Sequence, residues 1–149
     1  MSSPPDDGPK DDGLTVTKEF HFHAAHSVPG VADCKHVHGH TYHLSVTIGG
    51  ERNGAESPEE GMIANARRIK AEVKDAVVCK LDHAFIACGD ERIVPKLKDL
   101  GYRVAEIGVR TTAENIAEWI LGELQEETSF RVLKVRLWET PSMYTEARA

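Results

Sequence analysis

One cysteine and three histidines fall within residues 34–40, CKHVHGH. If this stretch runs into a strand, His38 and His40 project from one face, because strand side chains two positions apart point the same way. His26 ends the preceding alternating stretch, and a short connection between the two strands would bring it beside them. Neutral imidazoles bind zinc, and three protein ligands leave a fourth position open, as in catalytic zinc sites. The spacing therefore predicts a zinc site formed by these three histidines.

Other interpretations of the same segment stay open. A single histidine in such a loop is usually a solvated surface residue, and His36 has the strand parity to replace one of the proposed ligands. Cys34 lies four residues before His38. A thiol near a cation ionises more readily, so Cys34 is a candidate base or nucleophile. A fourth metal ligand or an inert loop thiol would fit its position equally.

Asp82 and His83 follow the end of a predicted helix. An aspartate beside a histidine can orient the imidazole and stabilise its charged form during proton transfer. A solvated turn would contain the same pair of residues. The pair is therefore a candidate proton relay, which the sequence alone does not distinguish from a turn.

Glu139 ends a predicted strand whose inward face is otherwise apolar, with Leu133, Val135 and Leu137 at the same parity. A buried carboxylate requires partners. A ligand with adjacent N–H donors, such as an amino-pyrimidinone ring, would satisfy both of its oxygens. Glu139 is thus a candidate anchor for a planar, nitrogen-rich ligand.

The elements that position these residues follow from hydrophobic periodicity. Period-two alternation predicts strands, and a 3.6-residue period of apolar residues predicts helices. Predicted strands cover residues 14–26, 40–50, 102–108 and 131–140, and predicted helices cover 66–80, 95–100 and a segment that begins at Thr111. Thr111 and Glu114 have the spacing of a capping box at the start of that last helix. The order of elements indicates an α+β domain with a mainly antiparallel sheet.

Composition limits the class of protein. The 149 residues carry a net charge of −6 and the basic residues form no long run, so binding to nucleic acid through a broad cationic face is disfavoured. No apolar run reaches the roughly 20 residues of a membrane span, and no signal-peptide core precedes the first strand. Three cysteines without framework spacing favour a reducing cytoplasm. Residues 1–13 are predicted to be a disordered tail, and residues 14–149 a single domain.

A set of motifs resembles the 6-pyruvoyltetrahydropterin synthase superfamily: FHFHAAH, CKHVHGHTYHLSVTI, GMIAN, LDHAFI, TTAEN and LWET. They follow the family's order over about residues 17–140. The resemblance implies the tunnelling fold, a four-stranded antiparallel sheet with two helices packed on one face. It also implies a homohexamer, in which three subunits join their sheets into a barrel, two trimers stack and the active sites lie at subunit interfaces.

Carried over position by position, the resemblance also implies roles for individual residues. The zinc ligands would be His26, His38 and His40. The catalytic groups would be Cys34, Asp82 and His83. The pterin ring would be anchored by Glu139, with Thr111 and Thr112 close to it. The candidates for holding the triphosphate are Lys18, Lys35 and Arg110.

Spacing within the motifs favours one branch of the family. The short gap between Cys34 and His38 looks like that of the bacterial 6-carboxy-5,6,7,8-tetrahydropterin synthases of queuosine biosynthesis. The implied substrate is the small molecule 7,8-dihydroneopterin triphosphate, with zinc as cofactor and no NAD(P), for which no Gly-rich motif is present. A 6-pyruvoyltetrahydropterin synthase and a pterin-binding zinc module without turnover remain the alternatives. The segment 87–108 is longer than in many compact members, so the loop near the site is expected to differ.

Overall fold

A six-stranded mixed sheet forms the centre of residues 11–149, which are the residues that this computed structural model describes. Its strands are β1 (Thr15–His26), β2 (His38–Gly49), β3 (Ala84–Ala87), β4 (Val104–Glu106), β5 (Arg131–Thr140) and β6 (Met143–Arg148). They lie in the order β4-β3-β1-β2-β5-β6. The pairs β1–β2, β2–β5 and β5–β6 are antiparallel, whereas β3 pairs in parallel with both β1 and β4.

The helices are α1 (Ala66–Val73), α2 (Cys79–Leu81), α3 (Val94–Asp99) and α4 (Ala113–Glu127), and a π-helical segment (Lys74–Val78) joins α1 to α2. Helices α1 and α4 pack on one face of the sheet. Their apolar residues recur at helical spacing and are buried, as at Ile69 and Val73 in α1 and at Ile116 and Ile120 in α4. They meet the inward side chains of β1, β2 and β5, and together these residues form the main core.

Helix α3 covers the opposite face of the sheet at its β3 edge. Successive strand side chains point to opposite faces, so Ile86 enters the main core whereas Phe85 and Ala87 face away from it. Phe85 and Ala87 form a second, smaller core with Val94 of α3. The segment 87–108 therefore covers part of the face that α1 and α4 leave bare.

The α+β class is confirmed, but the sheet has six strands instead of the predicted four. Strand β3 has four residues that are all buried, so it lacks the alternation that marks a strand in a sequence. Strand β6 contains exposed and half-buried positions only, and hydrophobic alternation does not mark it either. The helices also lie on both faces, because α3 packs against β3 on the side away from the main core.

Strand β5 contains two irregularities: its register with β2 shifts near its start, and its register with β6 shifts between Trp138 and Thr140, at Glu139. The shift against β2 is a β-bulge. Val132 is buried in place of Leu133, so the predicted apolar face begins only after the bulge. Glu139 keeps the parity of the buried residues Val135 and Leu137 that follow the bulge.

The predicted disordered tail covers residues 1–13, of which residues 1–10 lie outside the described residues. The tail and the single-domain assignment both stay predictions. No helix in residues 11–149 is long and apolar enough to cross a membrane.

Candidate active site

Three histidines meet at one end of the β1–β2 ladder. The strand register places His26 directly opposite His38, and Ala24 directly opposite His40. Residues opposite each other in a ladder share a face, as do residues two apart on one strand, so the three imidazoles lie on the core side of the sheet. Their ring centroids are 4.6 to 5.2 Å apart, and one potential ligand atom from each lies within 4.8 Å of the others. The structure thus brings the three predicted ligands together in a group that can hold a metal ion.

Main-chain carbonyl groups orient two of these imidazoles. Nδ1 of His26 lies 2.8 Å from the carbonyl oxygen of Thr111, and Nδ1 of His38 lies 2.7 Å from that of His36. Because a carbonyl oxygen only accepts hydrogen bonds, we assign the proton to Nδ1 in each neutral ring, which leaves Nε2 with its lone pair. Metal-binding histidines are commonly oriented in this way through their other ring nitrogen.

The Nε2 atom of His26 lacks a hydrogen-bond partner among the described residues. His26 is 1% exposed, and its Nε2 is enclosed. A buried, unpaired polar group costs on the order of 1–3 kcal/mol of stability, and a bound metal would satisfy this one. Burial also lowers the pKa of His26 to about 4, and burial lowers the pKa of His40. His26 is therefore neutral near pH 7, as a metal-binding imidazole must be.

Glu139 adds a carboxylate to this group. Its Oε1 lies 3.4 Å from Nε2 of His26 and 3.8 Å from Nε2 of His40. Its side chain is 20% exposed and therefore remains accessible to a ligand. The carboxylate and the three imidazoles form one compact group at the end of the main core.

Two threonines lie at the start of α4. Thr111 is buried, and its hydroxyl donates to the carbonyl oxygen of Ser27 at 3.2 Å. The hydroxyl of Thr112 accepts a hydrogen bond from the main-chain N–H of Asn115 and caps α4. The predicted capping box is therefore wrong by one residue, and Glu114 lies exposed at the second position of the helix. A contact of either threonine with a substrate stays a prediction.

Cys34 is exposed in a 3₁₀ turn, Asp33–Lys35, between β1 and β2. Two hydrogen bonds tie this turn to the residues after β1. The main-chain N–H of Val28 donates to the carbonyl oxygen of Cys34 at 2.7 Å, and the hydroxyl of Ser27 donates to that of Lys35 at 2.6 Å. The turn is thus anchored through its backbone, and the thiol is left accessible.

Asp82 and His83 lie side by side in the turn between α2 and β3. Nδ1 of His83 is 3.1 Å from Oδ1 of Asp82, and the same oxygen accepts a hydrogen bond from the main-chain N–H of His23 at 2.9 Å. Burial raises the pKa of Asp82, but the hydrogen bonds from His23 and His83 outweigh it and lower the pKa below its usual value. The sequence pattern did not single out His23, because its part in the site is a main-chain contact across 59 positions.

His83 has an unusual backbone conformation. Its φ of 58° lies in the left-handed region, which residues other than glycine rarely adopt. Its main-chain N–H donates to the carbonyl oxygen of His23 at 2.6 Å, which fixes the turn against β1. Conformations of this kind occur in turns as well as at functional sites, so the catalytic role of His83 stays a prediction.

Two surface grooves meet at the start of β2. The larger, the His83 groove, has a volume of about 640 Å³ and is lined by His40, His83, Phe85, Leu97 and Tyr102 among others. The smaller, the Glu139 groove, has a volume of about 580 Å³ and is lined by His40, His43, Trp138 and Glu139 among others. His40 therefore stands between the candidate proton relay and the candidate ring anchor. Cys34 lines neither of these two grooves.

Known proteins resemble this chain over most of its length. Residues 15–149 match the sequence model of the family described as 6-pyruvoyl tetrahydropterin synthase. A Haemophilus influenzae protein named 6-carboxy-5,6,7,8-tetrahydropterin synthase is 34% identical over 138 residues, which cover 88% of this chain and 96% of that protein. A Rickettsia bellii protein of the same name is 33% identical over 140 residues, which cover 89% and 99%.

A solved structure shows the same fold. The 6-pyruvoyl tetrahydropterin synthase of Caenorhabditis elegans aligns with a TM-score of 0.66 and 21% identity, over 91% of this chain and 95% of that one. Since the family's sequence model spans nearly all of the described residues, this chain belongs to the 6-pyruvoyl tetrahydropterin synthase family of enzymes.

Proposed function

We propose that this protein is a zinc-dependent 6-carboxy-5,6,7,8-tetrahydropterin synthase of queuosine biosynthesis. As a lyase, it would convert 7,8-dihydroneopterin triphosphate and one water molecule to 6-carboxytetrahydropterin, acetaldehyde and triphosphate. The observation that carries the proposal is the grouping of three imidazoles with Glu139, in which Nε2 of His26 is buried, unpaired and 3.4 Å from the carboxylate. This grouping offers a metal site and a ring anchor side by side. The relatives from Haemophilus influenzae and Rickettsia bellii carry the same enzyme name.

Zinc is the metal that we propose for the three histidines. Three imidazoles without a sulfur ligand suit zinc and leave a position for substrate. Bound there, zinc would act as a Lewis acid that lowers the pKa of the side-chain hydroxyl groups of the substrate. The carbonyl oxygens of Thr111 and His36 keep two of the rings in the tautomer that offers Nε2.

The other groups of the site would bind the substrate and move protons. Glu139 would accept hydrogen bonds from adjacent N–H groups of the pterin ring, which are strengthened by its charge. Cys34, as a thiolate, would remove a proton from the side chain of the substrate. His83, held by Asp82 and exposed at its ring, would pass protons between substrate and solvent.

The open edges of the sheet support an assembly of several copies. Strand β1 pairs with β3 only at Ala24 and Ala25, so its edge at residues 15–22 has no partner strand within the described chain. Strand β6 is the last strand at the other edge. Open edges can pair with another chain, and head-to-tail pairing of two different edges produces a ring if the rotation closes. We propose a homohexamer of two such trimers, with Cys34 of one copy facing Asp82 and His83 of the next.

Product identification tests the proposed function. The purified protein is incubated with 7,8-dihydroneopterin triphosphate, and the pterin product is identified by mass. A 6-carboxypterin supports the proposal. A 6-pyruvoyl product would instead make the protein a 6-pyruvoyltetrahydropterin synthase, and binding without turnover would make it a pterin-binding module.

A further inference from the structure

Tyr42 is a fully buried residue of β2 whose hydroxyl has no hydrogen-bond partner among residues 11–149. It follows His40 by two positions and therefore points to the same face of the sheet. Its ring centroid lies 5.4 Å from that of His40 and 6.3 Å from that of His26. Tyr42 thus borders the group of imidazoles, although the mechanism proposed above does not use it.

Packing fixes the ring of Tyr42. It stacks on Phe22 with centroids 4.9 Å apart and an interplanar angle of 13°, and the residue is 0% exposed. The hydroxyl therefore cannot turn to reach solvent. A buried tyrosine hydroxyl normally finds a partner, because an unpaired one costs free energy.

Two acceptors of the site can serve this hydroxyl. One is Nε2 of His26, which is also unpaired, but a metal at the histidines would occupy it. The other is the carboxylate of Glu139. Like Tyr42, this carboxylate borders both His26 and His40, and a tyrosine hydroxyl carries the proton that a bond to a carboxylate needs.

We propose that Tyr42 is a positioning residue, whose hydroxyl donates a hydrogen bond to one oxygen of Glu139 and directs the other oxygen toward the N–H groups of the pterin ring. The identity of the ligand as a pterin rests on the proposed function, whereas the hydrogen bond between Tyr42 and Glu139 does not depend on it. Within residues 11–149, the charged or imidazole side chains that lie within 4 Å of the Glu139 carboxylate are those of His26 and His40.

A conservative substitution removes only the donor. Tyr42→Phe keeps the ring and its stacking, and Tyr144→Phe, at an exposed position, is the matched control. We expect both variants to contain as much zinc as the wild type. The Kd for 7,8-dihydroneopterin, measured by fluorescence titration, should rise about tenfold in Tyr42→Phe and less than about twofold in Tyr144→Phe. An unchanged Kd in Tyr42→Phe would overturn the inference.

A double-mutant cycle with Glu139→Ala separates positioning from direct contact. If Tyr42 acts through Glu139, then Tyr42→Phe causes no further loss of affinity once the carboxylate is gone. A second loss of about tenfold in the Glu139→Ala background would mean that the hydroxyl contacts the pterin itself. That outcome would overturn the positioning role.

A second measurement does not depend on the proposed function: the thermal midpoint, Tm, of the protein in the absence of pterin. A wild type that binds no 7,8-dihydroneopterin would contradict the function, but the bond can still be measured. The bond predicts that Tyr42→Phe lowers Tm in the wild-type background and leaves it unchanged in the Glu139→Ala background. A Tm that Tyr42→Phe leaves unchanged or raises in the wild-type background shows that the hydroxyl has no partner, and overturns the inference.

Discussion

Nδ1 of His26 lies 2.8 Å from the carbonyl oxygen of Thr111, across 85 positions of the chain. This contact joins the end of β1 to the residue before the N-cap of α4. The hydroxyl of Thr111 is held in turn by the carbonyl oxygen of Ser27. The orientation of the His26 ring therefore depends on how α4 packs against the sheet. Because Thr111 engages Nδ1, Nε2 is the ring nitrogen that remains available to a metal.

Replacing the proposed ligand His38 should remove the metal, whereas replacing His36, the alternative ligand, should not. We expect His38→Ala to retain less than about a tenth of the wild-type zinc after dialysis, because one of three ligands is gone. His36→Ala is the matched control, since His36 is exposed and supports His38 through a main-chain oxygen that the substitution keeps. Metal analysis by mass spectrometry decides the assignment, and zinc loss in His36→Ala but not in His38→Ala would reverse it.

Cys34→Ala should retain zinc and lose turnover. If the thiolate removes a substrate proton, its loss lowers kcat by about 100-fold or more, as expected for a positioned general base. Cys79→Ala, also at an exposed cysteine, should leave kcat unchanged. Zinc content and kcat are measured on the same samples. Should Cys34→Ala lose its zinc, the thiol is a metal ligand and its proposed role as a base is wrong.

Two inactive variants should restore activity when mixed, because the proposed sites use groups from neighbouring copies. Cys34→Ala and His83→Ala chains are unfolded together in equal amounts, refolded with zinc and assayed. Random assembly gives roughly a quarter of the sites both intact groups, so about a quarter of wild-type activity should return. Each variant refolded alone is the control. A mixed sample that stays inactive, while wild type treated in the same way recovers, would place all groups of a site in one chain.

The edge strand β6 should become less stable in acid through Glu146. The side-chain hydrogen bonds from Arg136 and Arg148 lower the pKa of this carboxyl to about 2. Since the folded-state pKa lies below the ordinary value of 4.5, the stabilisation is complete above about pH 4.5 and is lost as the pH falls toward 2. Glu146→Gln should therefore lower Tm at pH 6, and the difference from wild type should shrink through this window.

Thermal melts at several pH values measure this difference. Glu126→Gln, at an exposed position of α4, is the matched control and should change Tm little at any pH. A difference between wild type and Glu146→Gln that stays constant from pH 6 to about pH 3 would show that the charge of Glu146 does not stabilise β6.

The alternation of strand side chains made the metal group predictable. His38 and His40 share parity in the sequence, and His26 ends the preceding strand, so an antiparallel pairing was enough to bring them together. The position of Glu139 followed from the same parity, because the bulge against β2 lies before Val135 and the second register shift, against β6, begins only after Trp138.

Contacts between distant segments could not be predicted in the same way. Thr111 and Thr112 are both residue types that can cap a helix. In the structure Thr111 packs against His26, and Thr112 is the N-cap of α4. The role of His23 is a main-chain hydrogen bond to Asp82, which no side-chain pattern reveals. Tyr42 carried one signal, its parity with His40, but the pattern made it look like an ordinary core residue.

The central claim is tested most directly by measuring acetaldehyde and triphosphate from the same reaction. The purified, zinc-loaded protein is given 7,8-dihydroneopterin triphosphate, and both products are quantified over time. We predict that one acetaldehyde appears for each triphosphate released, and that removal of zinc stops both. Release of triphosphate without acetaldehyde would contradict the proposed 6-carboxy-5,6,7,8-tetrahydropterin synthase activity.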